Sequence, residues 1–205
     1  MTQTIVLASG NKGKLKEFNE TLQQFSVSVL PQSHFNVEDA DETGLTFVEN
    51  AIIKARHACE ITGLPALADD SGLEVDALQG APGIYSARFA GAGKGDADNS
   101  QKLLESMQDV PDSERSARYR CVLVYMRHAK DPMPLICQGT LEGSIAHAPR
   151  GEFGFGYDPL FLVNNTDKTA AELTPEVKHS ISHRGQAVQL FLEQISGYLS
   201  NDTSQ

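Results

Sequence analysis

Residues Ile5-Val6-Leu7-Ala8-Ser9-Gly10-Asn11-Lys12-Gly13-Lys14 pass from an unbroken apolar run into a loop of small, polar and cationic side chains. Leu15, Phe18, Leu22 and Phe25 then recur at helical spacing. This reads as a buried strand, a loop and an amphipathic helix, the opening unit of an α/β chain. Residues 27–30 give a second strand stopped by Pro31, and Glu38-Asp39-Ala40-Asp41-Glu42-Thr43-Gly44 is an acidic loop. Thr46 and Glu49 have capping-box spacing and open a helix whose apolar face is Phe47, Ala51, Ile52, Ala55, Ala58 and Cys59, with Gly63 and Pro65 ending it.

Beyond that helix, Ala66-Leu67-Ala68-Asp69-Asp70-Ser71-Gly72 sets two adjacent carboxylates and a hydroxyl after a short apolar run, where a strand is predicted to end in a glycine turn. Side-by-side carboxylates repel unless a metal or a basic partner sits on them. Residues 73–78 read as a further strand, Gly80-Ala81-Pro82-Gly83 as a turn and residues 99–107 as a helix. Residues 117–126 and 135–141 are rich in β-formers and flank a polar connection, which predicts an antiparallel hairpin. A glycine-rich stretch, residues 151–156, runs into Tyr157-Asp158-Pro159, and a last helix carries Ala187, Leu190, Phe191 and Ile195 on one face. The polar tail, residues 200–205, is predicted to fray.

A chain of 205 residues with 40% hydrophobic and 21% charged residues suits one globular domain, 1–205, with a core that needs no staples. The net charge of −10 argues against general nucleic-acid binding, which rests on neutralising phosphates with many cations. Cys59, Cys121 and Cys137 are odd in number and lack C-x-x-C spacing, so they read as core residues in a reducing cytoplasm. No apolar run approaches the roughly 20 residues a bilayer requires, and the first residues lack the basic start of a signal peptide. A cytoplasmic protein without membrane partners is expected.

The loop Ser9-Gly10-Asn11-Lys12-Gly13-Lys14 offers a hydroxyl, backbone N–H groups, two ammonium groups and the positive end of a helix, donors that suit phosphate oxygens. Ala8 stands where a Walker A motif needs glycine, and Leu15 where it needs Ser or Thr, so the loop is not of that kind. On residue types alone it could equally be a capped surface turn. Lys54, four residues after Asn50, lies at the edge of its helix's apolar face, either reaching a cleft or snorkelling to solvent. The acidic loop is ordinary solvated surface unless one of its carboxylates joins Asp69 and Asp70 around magnesium, an ion content with few protein oxygens. Phe153, Phe155 and Tyr157 alternate with glycines, a pattern open both to base stacking and to ordinary core. His179 and His183 have the i, i+4 spacing of a helical zinc site, but Ser180 stands where the metalloprotease pattern needs Glu. Ser182-His183-Arg184-Gly185 better suits recognition of an anion or a carbonyl, with Arg184 as a fixed fork of donors.

Taken together, the SGNKGK loop, ETGLTFVENAIIKA, ADDSGLEVDALQGAPGIYSARFAG, FGYDPLF and SHRGQA resemble, in order and over nearly the whole chain, the nonstandard purine nucleoside triphosphate pyrophosphatase (dITP/XTP or inosine triphosphate pyrophosphatase) family. The resemblance implies an elongated mixed β-sheet with flanking helices, two lobes around a central substrate cleft, a homodimer, and Mg2+-dependent hydrolysis of ITP, dITP and XTP to monophosphate and pyrophosphate. By position it implies that Ser9, Gly10, Asn11, Lys12, Gly13 and Lys14 hold phosphates, although Lys12 departs from the neutral residue common there. Asp70 is implied as metal ligand and general base, Glu42 as the second metal carboxylate, and Ser71 as a substrate contact. Phe155, Gly156, Tyr157, Asp158, Lys178, His183 and Arg184 match purine-recognition positions.

Charge supplies the mechanism these assignments imply. Magnesium, Lys14 and Lys54 neutralise the leaving pyrophosphate, Asp69 holds the metal's water shell, and Asp70 deprotonates the attacking water. Donors from His183, Arg184 or loop N–H groups would pair with the purine six-carbonyl and meet no acceptor on adenine. Two other readings compete: a septum-formation-type pyrophosphatase for modified pyrimidine nucleotides, which FGYD and SHR disfavour, and a nucleotide-binding module without hydrolysis, which Asp69-Asp70 disfavours.

Overall fold

The computed structural model describes residues 3–199, so the tail expected to fray lies outside it. Six strands form one sheet in the order β2-β1-β3-β4-β5-β6. They are β1 (Gln3–Leu7), β2 (Val27–Pro31), β3 (Ala66–Val75), β4 (Ser116–Met126), β5 (Leu135–Ile145) and β6 (Phe161–Val163). The sheet is mixed: β1 runs parallel to β2, with Gln3 opposite Val27 and Leu7 opposite Pro31, and parallel to β3. β5 and β6 are antiparallel, with Gly143 opposite Val163. The helices are α1 (Lys12–Leu22), α2 (Phe47–Thr62), α3 (Asp96–Ser106), α4 (Pro175–Ile181) and α5 (His183–Leu199).

The chain divides into two compact units. The first comprises the chain through Asp70, Val122–Gln138 and the part from Ala187 onward; the second comprises Ser71–Cys121 and Gly139–Gln186.

In the first unit Ile5, Val6 and Leu7 are all fully buried, as an apolar strand covered on both faces requires. Phe18 and Leu22 of α1 are fully buried as well, each contributing about 1.5–3 kcal/mol. This helix starts earlier than the apolar periodicity suggests. Asn11 caps it by accepting from the N–H groups of Gly13 and Lys14, which draws Lys12, Gly13 and Lys14 out of the expected loop into the first turn. In α2, Ala51, Ala55 and Ala58 are fully buried and Cys59 nearly so, small side chains that let the helix lie close to its neighbours. Gly63, at φ +68°, ends it with its N–H on the Cys59 carbonyl. The α5 face differs slightly from the expected one: Ala187, Phe191 and Ile195 are fully buried, whereas Leu190 is 38% exposed and Val188 is buried in its stead. The connection between β4 and β5 is closed by Asp131, which accepts from the Arg127 and Met133 N–H groups and from the Arg127 guanidinium.

In the second unit Leu73, Val75, Leu103, Met107, Leu141, Ile145, Leu160, Phe161 and Val163 form the core. Arg115 is buried beside it and donates to the carbonyls of Ile145, Met107, Val110 and Ala146, so carbonyl dipoles satisfy its guanidinium. The expected glycine turn at Gly72 does not occur. β3 continues through Asp69, Asp70, Ser71 and Gly72 to Val75, because Leu73 and Val75 have a core to enter. Residues 76–78 then form a short 3-10 turn rather than strand. Cys59, Cys121 and Cys137 are buried and form no disulfide among the described residues, in keeping with core residues. Among the described residues no helix is long and apolar enough to cross a membrane.

Candidate active site

Successive side chains on a strand leave it on opposite sides, so the adjacent carboxylates of β3 diverge instead of sharing one partner. Asp69, buried, receives the Lys14 ammonium with 2.8 Å to each carboxylate oxygen. Asp70 receives Lys54, whose Nζ lies 3.1 Å from Asp70 Oδ1 and 3.0 Å from Glu42 Oε1. The first turn of α1 and the middle of α2 thus deliver one cation to each carboxylate. Lys54 joins the acidic loop to the strand.

That loop is held against α2 from several points. Thr46 and Glu49 cap the helix reciprocally, and the Leu45 N–H donates to Glu49 Oε2 at 2.8 Å. Asn50, fully buried, accepts from the Gly44 N–H at 2.9 Å. A Cβ on Gly44 would come within 2.6 Å of Glu49 Cβ and 2.7 Å of Asn50 Oδ1, so only glycine lets the loop lie this close. About two turns further along α2, His57 Nε2 contacts the Glu38 carbonyl at 3.1 Å.

Asp70 Oδ2 is buried and has no hydrogen-bond partner among the described residues. The Asn50 amide lies near enough to favour the charged carboxylate without a hydrogen bond of normal geometry. Burial pushes the Asp70 carboxyl up from its ordinary value, while Lys54 pulls the other way. For Lys54 burial opposes the charge, but Asp70 and Glu42 outweigh it and the ammonium is held above its usual range. Magnesium binds through one or two carboxylates and fills its shell with water and phosphate oxygens. Glu42 and Asp70, bridged by one ammonium, fit that donor set, with Asp70 Oδ2 buried and without a hydrogen-bond partner among the described residues. Among the described residues no three His, Cys, Asp or Glu side chains gather as a protein-only cage.

Of the other residues from Ser9 to Lys14, Ser9 Oγ accepts from the Asn11 N–H at 3.2 Å, and Gly10, Asn11, Lys12 and Gly13 are exposed. Lys12 makes no ion pair among the described residues, unlike Lys14. Ser71 follows Asp70 on β3 and is half-buried.

The second unit gathers the aromatic and histidine motifs. Asp158 is buried: its Oδ2 accepts from the Phe155 N–H at 2.8 Å and pairs with Lys178, while its Oδ1 accepts from the Tyr119 hydroxyl at 3.3 Å. The Lys178 ammonium lies 5.0 Å from the centroid of the Phe155 ring. Phe155 is 69% exposed and Phe153 55%, so the two rings are presented to solvent, whereas Tyr157 belongs to the core. Gly154, at φ +87°, crosses directly over Asp158, where a Cβ would sit 2.2 Å from Oδ2. The Gly156 N–H donates to Asp96 at 2.7 Å. Tyr157 is buried with its hydroxyl on the Ser86 carbonyl at 2.8 Å.

His183 and Arg184 open α5, with Ser182 as the hinge from α4: its Oγ accepts from the Gly185 N–H at 3.0 Å and donates to the His179 carbonyl at 3.2 Å. His179 belongs to α4 and His183 to α5, so the two do not share a helix face as a helical zinc pair would. Sequence reading singled out neither Tyr119 nor Gly44. Tyr119 looks like any strand aromatic, and Gly44 sits in a loop whose composition already explains a glycine.

The Ham1 family model matches residues 5–194. Relatives named dITP/XTP pyrophosphatase include one from Yersinia pestis, 60% identical over 93% of this chain and 97% of its own length, and one from Escherichia coli (strain K12), 58% identical over the same shares. Among solved structures, a HAM1 protein from Coxiella burnetii superposes with a TM-score of 0.90 at 54% identity, covering 97% of this chain and 99% of its own. The Staphylococcus aureus Ham1 protein does so with a TM-score of 0.89 at 41% identity, covering 96% of this chain and 100% of its own.

Proposed function

The chain belongs to the Ham1 family, and from that premise we propose that it hydrolyses nonstandard purine nucleoside triphosphates, ITP, dITP and XTP, to the monophosphate and pyrophosphate with Mg2+ as cofactor. The observation that carries the proposal is Lys54, placed between Glu42 and Asp70 while one oxygen of Asp70 is buried and without a hydrogen-bond partner among the described residues. Glu42 and Asp70 would hold the ion, which when bound supplies charge neutralisation on the phosphate oxygens.

Asp70 is the general base. Burial raises its affinity for a proton and Lys54 keeps it ionised, the combination a base needs in order to take a proton from water near neutral pH. Lys14 and Lys54, with the N–H groups and hydroxyl of the loop from Ser9 to Gly13, bind the polyphosphate and stabilise the charge that grows on the departing pyrophosphate. Asp69 holds Lys14 in position, and Ser71 contacts substrate.

Base recognition is assigned to the second unit: Phe155 offers an exposed face for stacking, and Lys178, His183 and Arg184 offer donors to a six-carbonyl. Gly156, Tyr157 and Asp158 shape and hold the segment that carries Phe155. Adenine presents an amino group there, which leaves donors unmatched at about 1–3 kcal/mol each. The enzyme is proposed to act as a homodimer in the cytoplasm and without nucleic-acid partners.

Pyrophosphate release from ITP, measured with and without magnesium and against ATP and GTP, tests this reading. Magnesium-dependent release, far faster from ITP, dITP and XTP than from ATP or GTP, is the expected result; equal rates on all five nucleotides, or binding of ITP without turnover, would overturn it.

A further inference from the structure

The two segments assigned to base recognition, one ending in Asp158 and the other opening with His183, have a side chain in common. The Tyr119 ring on β4 stacks on the His183 imidazole, with 5.0 Å between centroids and 14° between planes. It also tilts against Phe161 at 4.6 Å, and its hydroxyl donates to Asp158 Oδ1 at 3.3 Å. Asp158 is the residue that fixes the Phe155 N–H and Lys178 through its other oxygen.

The neighbours of Tyr119 pin the strand that presents it. Arg118 and Arg120 leave β4 on the opposite side, where Arg118 forks onto Asp76 at 2.7 and 2.8 Å and Arg120 reaches Glu74 at 2.9 Å. Burial, and then the Asp158 carboxylate, push the phenol well above its ordinary range, so the hydroxyl stays protonated and donates.

We propose that Tyr119 is a positioning residue for purine recognition, setting the imidazole of His183 and the Asp158–Lys178 pair in one fixed arrangement before the base arrives. The proposal rests on the assignment of base recognition to His183, Asp158 and Lys178. A side chain already held by a stacked ring and a hydrogen bond has less freedom to lose on binding, and that advantage appears in substrate affinity rather than in the bond-breaking step.

Two variants separate the contacts: Tyr119→Phe keeps the ring and removes the hydroxyl, and Tyr119→Leu removes both. Steady-state kinetics on ITP, well below the unfolding midpoint, are expected to show KM raised about two- to ten-fold in Tyr119→Phe and more in Tyr119→Leu, with kcat within about two-fold in each. The His183 ring-proton NMR signals, assigned by comparison with His183→Ala, should stay in place in Tyr119→Phe and move downfield in Tyr119→Leu as the ring current is lost. A residue that merely fills the core would lower stability and leave KM unchanged. Unchanged KM in both variants, or a fall in kcat at constant KM, refutes the role of Tyr119. His183→Ala tells the two failures apart: if it raises KM where the Tyr119 variants do not, Tyr119 alone is refuted, and if it too leaves KM unchanged, the base-recognition assignment falls and this inference with it.

Discussion

Replacing Lys54 by methionine keeps the aliphatic stem on α2 and deletes the ammonium that lies 3.0 Å from Glu42 and 3.1 Å from Asp70. At an effective dielectric of about 20, each pair at such a distance is attracted by about 5 kcal/mol, and desolvation of the three charges offsets much of that. Two carboxylates then face one another, and the part-exposed Glu42 relaxes toward water. The expected net loss is about 2–4 kcal/mol at neutral pH, somewhat below that of a fully buried pair broken on one side.

The sign of the pH dependence follows from Asp70. Its folded-state carboxyl already sits above the ordinary value of 3.8 because of burial, and Lys54→Met removes the charge that lowers it, so it rises further. A folded state that holds a proton more tightly than the unfolded chain becomes less stable as pH climbs from near the unfolded value through the folded one. The difference between variant and wild type should therefore be small near about pH 4 and fully developed by about pH 7. Urea unfolding across that range measures it, and Lys54→Met combined with Asp70→Asn should recover most of the loss. A deficit that is the same at both ends of the range, or one that the second substitution leaves intact, would refute the electrostatic account of this cluster.

Asp70→Asn alone should keep the fold and lose about 10²–10⁴-fold in turnover, read as pyrophosphate release from ITP; a near-wild-type rate would remove Asp70 from the role of base. Gly154→Ala forces a Cβ to 2.2 Å from Asp158 Oδ2 at a backbone φ of +87°, so it should cost about 1–3 kcal/mol in thermal unfolding and raise KM for ITP, and an unchanged KM would uncouple this turn from substrate binding. Asp131→Asn tests the β4–β5 connection: the Arg127 guanidinium, ahead of the backbone N–H groups, holds the Asp131 carboxyl far below the ordinary 3.8. Its contribution is present above that value and lost as pH falls toward the folded one, so the variant should be about 1–3 kcal/mol less stable at neutral pH and nearly equal to wild type in strong acid, as acid and urea titrations would show.

What the sequence disclosed was whatever rests on near neighbours. The Thr46–Glu49 cap, the stop at Gly63 and the acidic loop were legible because each depends on residues within a turn or two. The continuation of β3 through Asp69-Asp70-Ser71-Gly72 was not, since two carboxylates and a glycine look locally like a turn. They are tolerated in a strand because Lys14 and Lys54 arrive from 55 and 16 residues away. Local pattern alone leaves Phe153 and Phe155 open between core and contact surface, and their exposure answers the question through packing that no local pattern encodes. Tyr119 is the extreme case. Nothing near it in sequence separates it from a core aromatic, and its hydroxyl partner Asp158 lies 39 residues further along the chain.

The ammonium lodged between Glu42 and Asp70 also bears on how the proposed cofactor enters. A lone divalent ion from solution would meet two carboxylates whose charge one ammonium already answers in part, and it would share them with a tenant of like charge. An ion escorted by a polyphosphate brings anions to which that tenant can turn. Order of arrival would thus become a property of charge balance: metal and nucleotide would enter as one complex, and the resting enzyme would have little appetite for free cations.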